Sequence, residues 1–179
     1  MSYPIKTLLR SLHNSFEKQY INTITGLLGV NYIADYFIST KIKQMPNIPE
    51  VVKSKKTLTA MNKGVLASEL NKTLRGRGPF TVFAPSDRAF GKLESGTLEG
   101  LLKPENKVQL TALLSRHIIA YKVNFKNLKE GDKLKTLKGN EVTVTIRNGK
   151  ICIDDATIQN QDIESSNGVI HSLDTVLID

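Results

Sequence analysis

From residue 51 the apolar positions fall at roughly helical intervals. Val51, Val52, Leu58, Met61, Val65, Leu66, Leu70 and Leu74 predict two short helices that divide near Gly64. Arg75-Gly76-Arg77-Gly78-Pro79 is a turn, and Phe80–Ala84 is a strand that Pro85 stops. Ser86 or Asp87 suits the cap of a helix that carries Ala89, Phe90 and Leu93. Thr97 caps a further short helix over Leu98–Leu102. Pro104 then suits the first turn of a helix bearing Val108, Leu110, Leu113, Leu114, His117 and Ile118 on its apolar side.

After Tyr121 the period changes to two. Leu134–Leu137 reads as a strand and Lys138-Gly139-Asn140 as a turn. Val142, Val144 and Ile146 alternate with Thr143 and Thr145. Asn148-Gly149 is a type I′ hairpin signal, because both turn positions need a residue that tolerates positive φ. Ile151 and Ile153 return, Asp154-Asp155 turns again, and Ala156–Ile163 extends. Asn167-Gly168 leads into a last strand over Val169–Ile178. Helices first and mostly antiparallel strands second make an α+β domain, and Phe80–Ala84 must join the sheet by long-range pairing.

Residues 1–47 read differently, as a basic extension before a domain at 48–179. Two helices separated by Gly26 and Gly29 suit residues 1–44, and Met45-Pro46-Asn47-Ile48-Pro49 reads as a linker. A secretory signal fits poorly, since its best apolar stretch, Ile21–Val30, is interrupted and lies late. The formal net charge is +8 over 179 residues, and residues 1–56 alone carry +5 of it. That bias suits an anionic surface or membrane as a partner of the extension, or simple solvation. Lys122–Lys150 is rich in lysine, while Asp154–Asp179 has no Lys or Arg.

The chemistry-bearing residues are few. Cys152 is the one cysteine, so no internal disulfide forms, and its strand position among apolar residues fits an inert core thiol. His117 lies on the apolar side of its helix, and His171 alternates with Val169 and Leu173, so both read as core histidines that together make a pH-sensitive core. None of the histidines stands at zinc-ligand spacing from Cys152, Ser86 lacks the glycines of a nucleophile elbow, and no phosphate-binding glycine loop is present. The reading is of a protein that is not an enzyme and needs no cofactor. Aromatic residues are 6% and tryptophan is absent, which speaks against a specific nucleic-acid partner.

Two segments resemble the signature boxes of the fasciclin-like domain family. They are Gly78-Pro79-Phe80-Thr81-Val82-Phe83-Ala84-Pro85-Ser86-Asp87-Arg88-Ala89-Phe90, and Asp162–Ile178 with Asn167-Gly168-Val169-Ile170-His171-Ser172-Leu173-Asp174 at its centre. Thr97–Leu102 and Leu114–Ile119 match between them, so the resemblance covers about residues 50–178. It implies a β-wedge of mostly antiparallel strands flanked by short helices. It also implies a secreted or surface-associated adhesion module that binds a protein or polysaccharide through exposed loops and sheet edges. In animal relatives a Tyr-His pair and an Asp-Ile pair are proposed to contact integrins. Here the first reads Arg116-His117, without the tyrosine, and the second stands as Asp162-Ile163. Asp162, Ile163 and His117 are therefore the candidate binding residues, with a backbone-capping role as the other reading of Asp162. The alternative function is an intracellular scaffold that dimerises or binds a protein through residues 1–47.

Overall fold

A computed structural model gives the structure of residues 45–178, and the expectations for residues 1–44 lie outside them. Helix α1, Ile48–Ser54, begins with a capping box. The Asn47 side chain accepts from the Glu50 backbone N–H at 3.1 Å, and Glu50 accepts from the Asn47 N–H at 3.0 Å. Ile48 and Pro49 are thus the first helical turn, where proline loses no hydrogen bond, rather than the end of a linker. Helices α2, Thr59–Ala67, and α3, Leu70–Leu74, follow. Gly64 does not divide the helical region. It lies inside α2, where an added Cβ would come within 3.0 Å of a Leu114 methyl group, so the glycine serves close packing between helices. The breaks fall instead at Lys55–Leu58 and Ser68–Glu69.

Strand β1, Phe80–Pro85, leads to α4, Asp87–Phe90, capped by the Ser86 hydroxyl at the Ala89 N–H. Helix α5, Thr97–Leu101, starts after Gly96, which takes φ 83°, so Thr97 is the first helical residue and not the cap. A 3-10 turn at Pro104–Asn106 opens α6, Lys107–Ser115. Val108 is 81% exposed, against the expectation that it faces inward. It stands two residues from buried Leu110, which is about 200° around a helix of 3.6 residues per turn. Strands β2 (Ile118–Ile119), β3 (Lys133–Lys135), β4 (Glu141–Arg147), β5 (Lys150–Ile153), β6 (Ala156–Ser165) and β7 (Gly168–Leu173) complete the order. The Asn148-Gly149 turn has φ of 51° and 73°, as a type I′ hairpin requires.

The strands form a seven-stranded sheet in the order β2-β1-β7-β6-β5-β4-β3. Every pairing is antiparallel except β1 with β7, which run parallel from Phe80↔Gly168 to Pro85↔Leu173. The two ends of the sheet meet, because Ile119 bridges Thr136 and the Leu137 N–H donates to the Ile118 carbonyl at 2.8 Å. The expected recognition through sheet edges therefore finds no long free edge at either end.

Two apolar clusters follow from the alternation of side chains along the strands. On the helix side Val82, Ala84 and Ile170 pack with Ile48, Met61 and Leu114. Inside the wedge Phe83 and Leu173 pack with Ile119, Val142, Ile153 and Leu177. Each such side chain contributes about 1.5–3 kcal/mol when fully buried. Cys152 is buried, but its cross-strand neighbours are Thr145 and Thr157, so it belongs to neither cluster, contrary to the apolar setting expected for it.

A polar frame holds these layers together. Thr81 is fully buried, donates to the Tyr121 carbonyl at 2.6 Å and accepts from the Val123 N–H at 2.8 Å. Thr81→Val keeps the shape and strands both backbone groups. A loss of about 1–3 kcal/mol in urea unfolding is expected, and an unchanged midpoint would show that water replaces the hydroxyl. The last strand ends at Leu173, earlier than the expected Ile178, because Asp174 turns to accept from the Thr157 N–H at 2.8 Å. Gly168 faces the Phe80 backbone so closely that a Cβ there would collide with the Phe80 carbonyl oxygen, which makes this glycine the condition for parallel pairing.

Candidate functional site

The candidate residues Asp162 and Ile163 sit in the irregular stretch of β6. Register shifts occur between Ile158 and Asn160 and between Asn160 and Ile163, and Asp162 takes φ 51°. The bulge turns the Asp162 carboxylate toward the loop after β2, where Oδ1 accepts from the Phe125 N–H at 2.8 Å. Ile163 is half-buried and packs on the helix-side cluster. The pair is thereby split, with one carboxylate oxygen engaged by backbone and the isoleucine partly covered.

His117 lies just beyond the end of α6 and is fully buried. Nδ1 lies 2.9 Å from the Leu113 carbonyl, and Nε2 accepts from the Leu177 N–H at 2.9 Å. These partners select the neutral tautomer with the proton on Nδ1, and the ring satisfies a carbonyl of the last helical turn. Burial pushes its pKa down to about 4, with Arg116 adding to the shift and the Leu113 carbonyl opposing it. His171 is also fully buried, stacks on Phe83 at 5.6 Å between ring centres, and uses the other tautomer. Its Nε2 donates to the Val123 carbonyl at 2.9 Å, and its Nδ1 accepts from the Asp162 N–H at 3.2 Å. The ring thus pins the bulge from the wedge side. His117 shares no hydrogen-bond partner with Asp162, so the structure does not assemble the candidate residues into one site.

What the structure does assemble is a polar cleft on the helix side of the bulge. Two adjoining recesses, of about 490 and 510 Å³, share Thr57, Gln159, Asn160 and Ser172. One wall is the α1–α2 loop at Lys55–Leu58, and the other is β6 from Gln159 to Gln161. Ser172 forms part of the floor, accepting from both the Asn160 N–H and its side-chain amide at 3.0 Å. The loop wall is fixed by Asp87. Its carboxylate accepts from the Ala60 N–H at 2.7 Å and the Thr59 hydroxyl at 2.8 Å, capping α2 from the first residue of α4, while its own N–H donates to the Thr57 carbonyl. Asp174 closes the far end, paired with Lys92 at 3.7 Å. No residue of the Lys122–Lys150 stretch lines either recess. Lys122, Lys133 and Arg147 pair with Glu164, Glu141 and Asp155.

Asn167 was expected only as a turn residue, yet it joins three parts of the domain. Its Oδ1 accepts from the Ile48 N–H at 3.0 Å, and its amide donates to the Leu74 and Gly76 carbonyls, each at 2.7 Å. Ser86, Asp87, Asn167, Gly168, His171 and Asp174, all from the two signature segments, are therefore partners of backbone groups or close backbone approaches.

The family model described as Fasciclin domain matches residues 53–179. This chain belongs to the fasciclin-domain family. Protein sll1483 of Synechocystis is 37% identical over 73% of this chain and 72% of its own length. The transforming growth factor-beta-induced protein ig-h3 of Sus scrofa is 34% identical over 84% of this chain, which corresponds to 21% of that longer protein. A solved fasciclin domain pair from the insect cell adhesion molecule fasciclin I superposes with a TM-score of 0.67 at 20% identity, covering 75% of this chain and 51% of that one. This likeness establishes the fold: a curled, mostly antiparallel sheet with short flanking helices.

Proposed function

We propose that this fasciclin domain is a non-catalytic recognition module that holds an extracellular or surface macromolecule in the polar cleft. The observation that carries this reading is a cleft whose walls are held by part-buried hydrogen bonds to the backbone while Lys55, Lys56, Thr57, Gln159 and Gln161 stay exposed to a ligand. Fixed walls reduce the ordering cost of association. The serine and aspartate side chains of the cleft serve the backbone of the domain. The Ser86 and Ser172 hydroxyls accept backbone N–H groups, both lining carboxylates hold backbone donors, and the two histidines of the domain are buried away from the cleft. Among the described residues no cluster of metal-ligating side chains occurs.

The test is retention of the full chain on immobilised matrix proteins, polysaccharides and cell surfaces, with Thr57→Trp as a cleft-blocking variant. The Thr57 side chain is exposed, and only its backbone carbonyl holds Asp87, so the fold tolerates the exchange. Retention on at least one surface is expected to fall about tenfold or more, equivalent to 1.4 kcal/mol. Retention that the variant leaves unchanged would place binding elsewhere.

A further inference from the structure

We infer that the cleft takes an acidic polysaccharide. Lys55, Lys56 and Arg88 would meet its carboxylate or sulfate groups, and the Gln159 and Gln161 amides its hydroxyls. The inference rests on the cleft being the binding site.

Charge is the first argument. The cations along the cleft are Lys55, Lys56, Arg88 and Lys92, and its carboxylates are Asp87 and Asp174. Asp87 is consumed by the Ala60 N–H and the Thr59 hydroxyl. Asp174 is consumed by the Thr157 N–H and by Lys92. Lys55, Lys56 and Arg88 are exposed, and their side chains make no ion pair with another described residue. The cleft therefore holds four cations against two carboxylates, and both carboxylates are already engaged by groups of the domain.

The second argument is the kind of neutral group present. Gln159 and Gln161 are exposed amides, each offering a donor and an acceptor, which suits the hydroxyl of a sugar ring. No aromatic side chain lines either recess. A protein partner would be expected to anchor an aromatic or aliphatic side chain in an apolar pocket. A nucleic acid would need rings on which bases stack. Of the apolar residues here, Leu58 is buried and Ile163 half-buried against the helix-side cluster. Shape is the third argument, since two recesses side by side make an open trough suited to a chain of residues.

The experiment measures retention of the full chain on heparin, polygalacturonate and neutral dextran at several salt concentrations. It compares K55A/K56A/R88Q with K126A/K129A/K150A, which removes the same charge from exposed positions outside the cleft. The expected result is binding to at least one acidic polymer, weakened about tenfold by the cleft variant and less than twofold by the control. Preference between heparin and polygalacturonate distinguishes sulfate from carboxylate as the ligand group. Equal weakening by both variants, equal binding of dextran, or no retention on either acidic polymer would overturn the inference. If neither acidic polymer is retained while Thr57→Trp still abolishes binding to a protein surface, the recognition reading stands and only the polysaccharide assignment falls.

Discussion

Asn167→Ala is expected to cost about 4 kcal/mol, enough to unfold much of a domain whose total stability is of order 5–15 kcal/mol. The substitution leaves the Ile48 N–H and the Leu74 carbonyl without their partner in a buried setting, and the Gly76 carbonyl in a partly buried one. Each orphaned backbone group costs about 1–3 kcal/mol when water cannot reach it. The damage is also spatially broad, because the same side chain anchors the start of α1 and the end of α3 beside the β1–β7 pairing. Asn167→Asp is the sharper variant. It retains an acceptor for Ile48 but replaces both amide donors by an oxygen facing two carbonyls. At pH 7.5 it should destabilise at least as much as alanine in urea unfolding. A midpoint for either variant close to that of the parent protein would mean that this network is not a principal brace.

Acid should destabilise the domain well before its carboxylates are protonated. The pKa of His117 in the folded state is depressed to about 4, and that of His171 is depressed too, in each case first by burial. The Val123 carbonyl and the charges of Asp162 and Glu164 pull His171 back upward. An unfolded histidine has a pKa near 6.5. Above that value both states are neutral and the stability is fully present. As the pH falls below it, the unfolded chain takes up protons that the folded rings refuse, so stability is lost at up to about 1.4 kcal/mol per pH unit per histidine. For His117 this continues down to about pH 4, and the loss between pH 7.5 and pH 5 is about 2 kcal/mol, with His171 adding to it. The geometry gives the same sign, since a proton on His117 Nε2 would face the Leu177 N–H and one on His171 Nδ1 the Asp162 N–H. Urea midpoints at pH 7.5, 6 and 5 check this, with His117→Gln expected to flatten the profile. Equal stability at pH 5 and pH 7.5 would refute it. Because His171 holds the backbone of the bulge that forms one cleft wall, ligand retention is expected to weaken over the same range.

The roles of the family signature become clear from these two cases. In this chain Ser86 and Asp87 serve capping, Gly168 the close approach of parallel strands, and Asn167, His171 and Asp174 backbone partners that lie elsewhere in the chain. Asp162, singled out as a recognition residue, is also engaged in this way through Phe125. The exposed residues that form the cleft, Lys55, Lys56, Gln159 and Gln161, carry no pattern that distinguishes them from an ordinary solvated loop.

Local rules settled what local geometry can settle. The type I′ hairpin at Asn148-Gly149, the Ser86 cap, the strand from Phe80 and the change from helical to alternating period were all legible, because each depends on backbone preferences within a few residues. The two signature segments also made the fold legible, and strand alternation the inward face shared by His171 and Leu173. The local rules failed where a tertiary contact reversed them. Gly64 stays helical because Leu114 packs against it, and the final strand stops at Leu173 because Asp174 finds Thr157. Only the folded chain decided the closure of the sheet through Ile119 and Thr136, the tautomers of the two histidines and the cleft itself. The physical reason is separation along the chain. A side chain's propensity is set by its neighbours in sequence, but its hydrogen-bond partner is set by whatever packing brings near. For Asn167 those partners lie 91, 93 and 119 residues away.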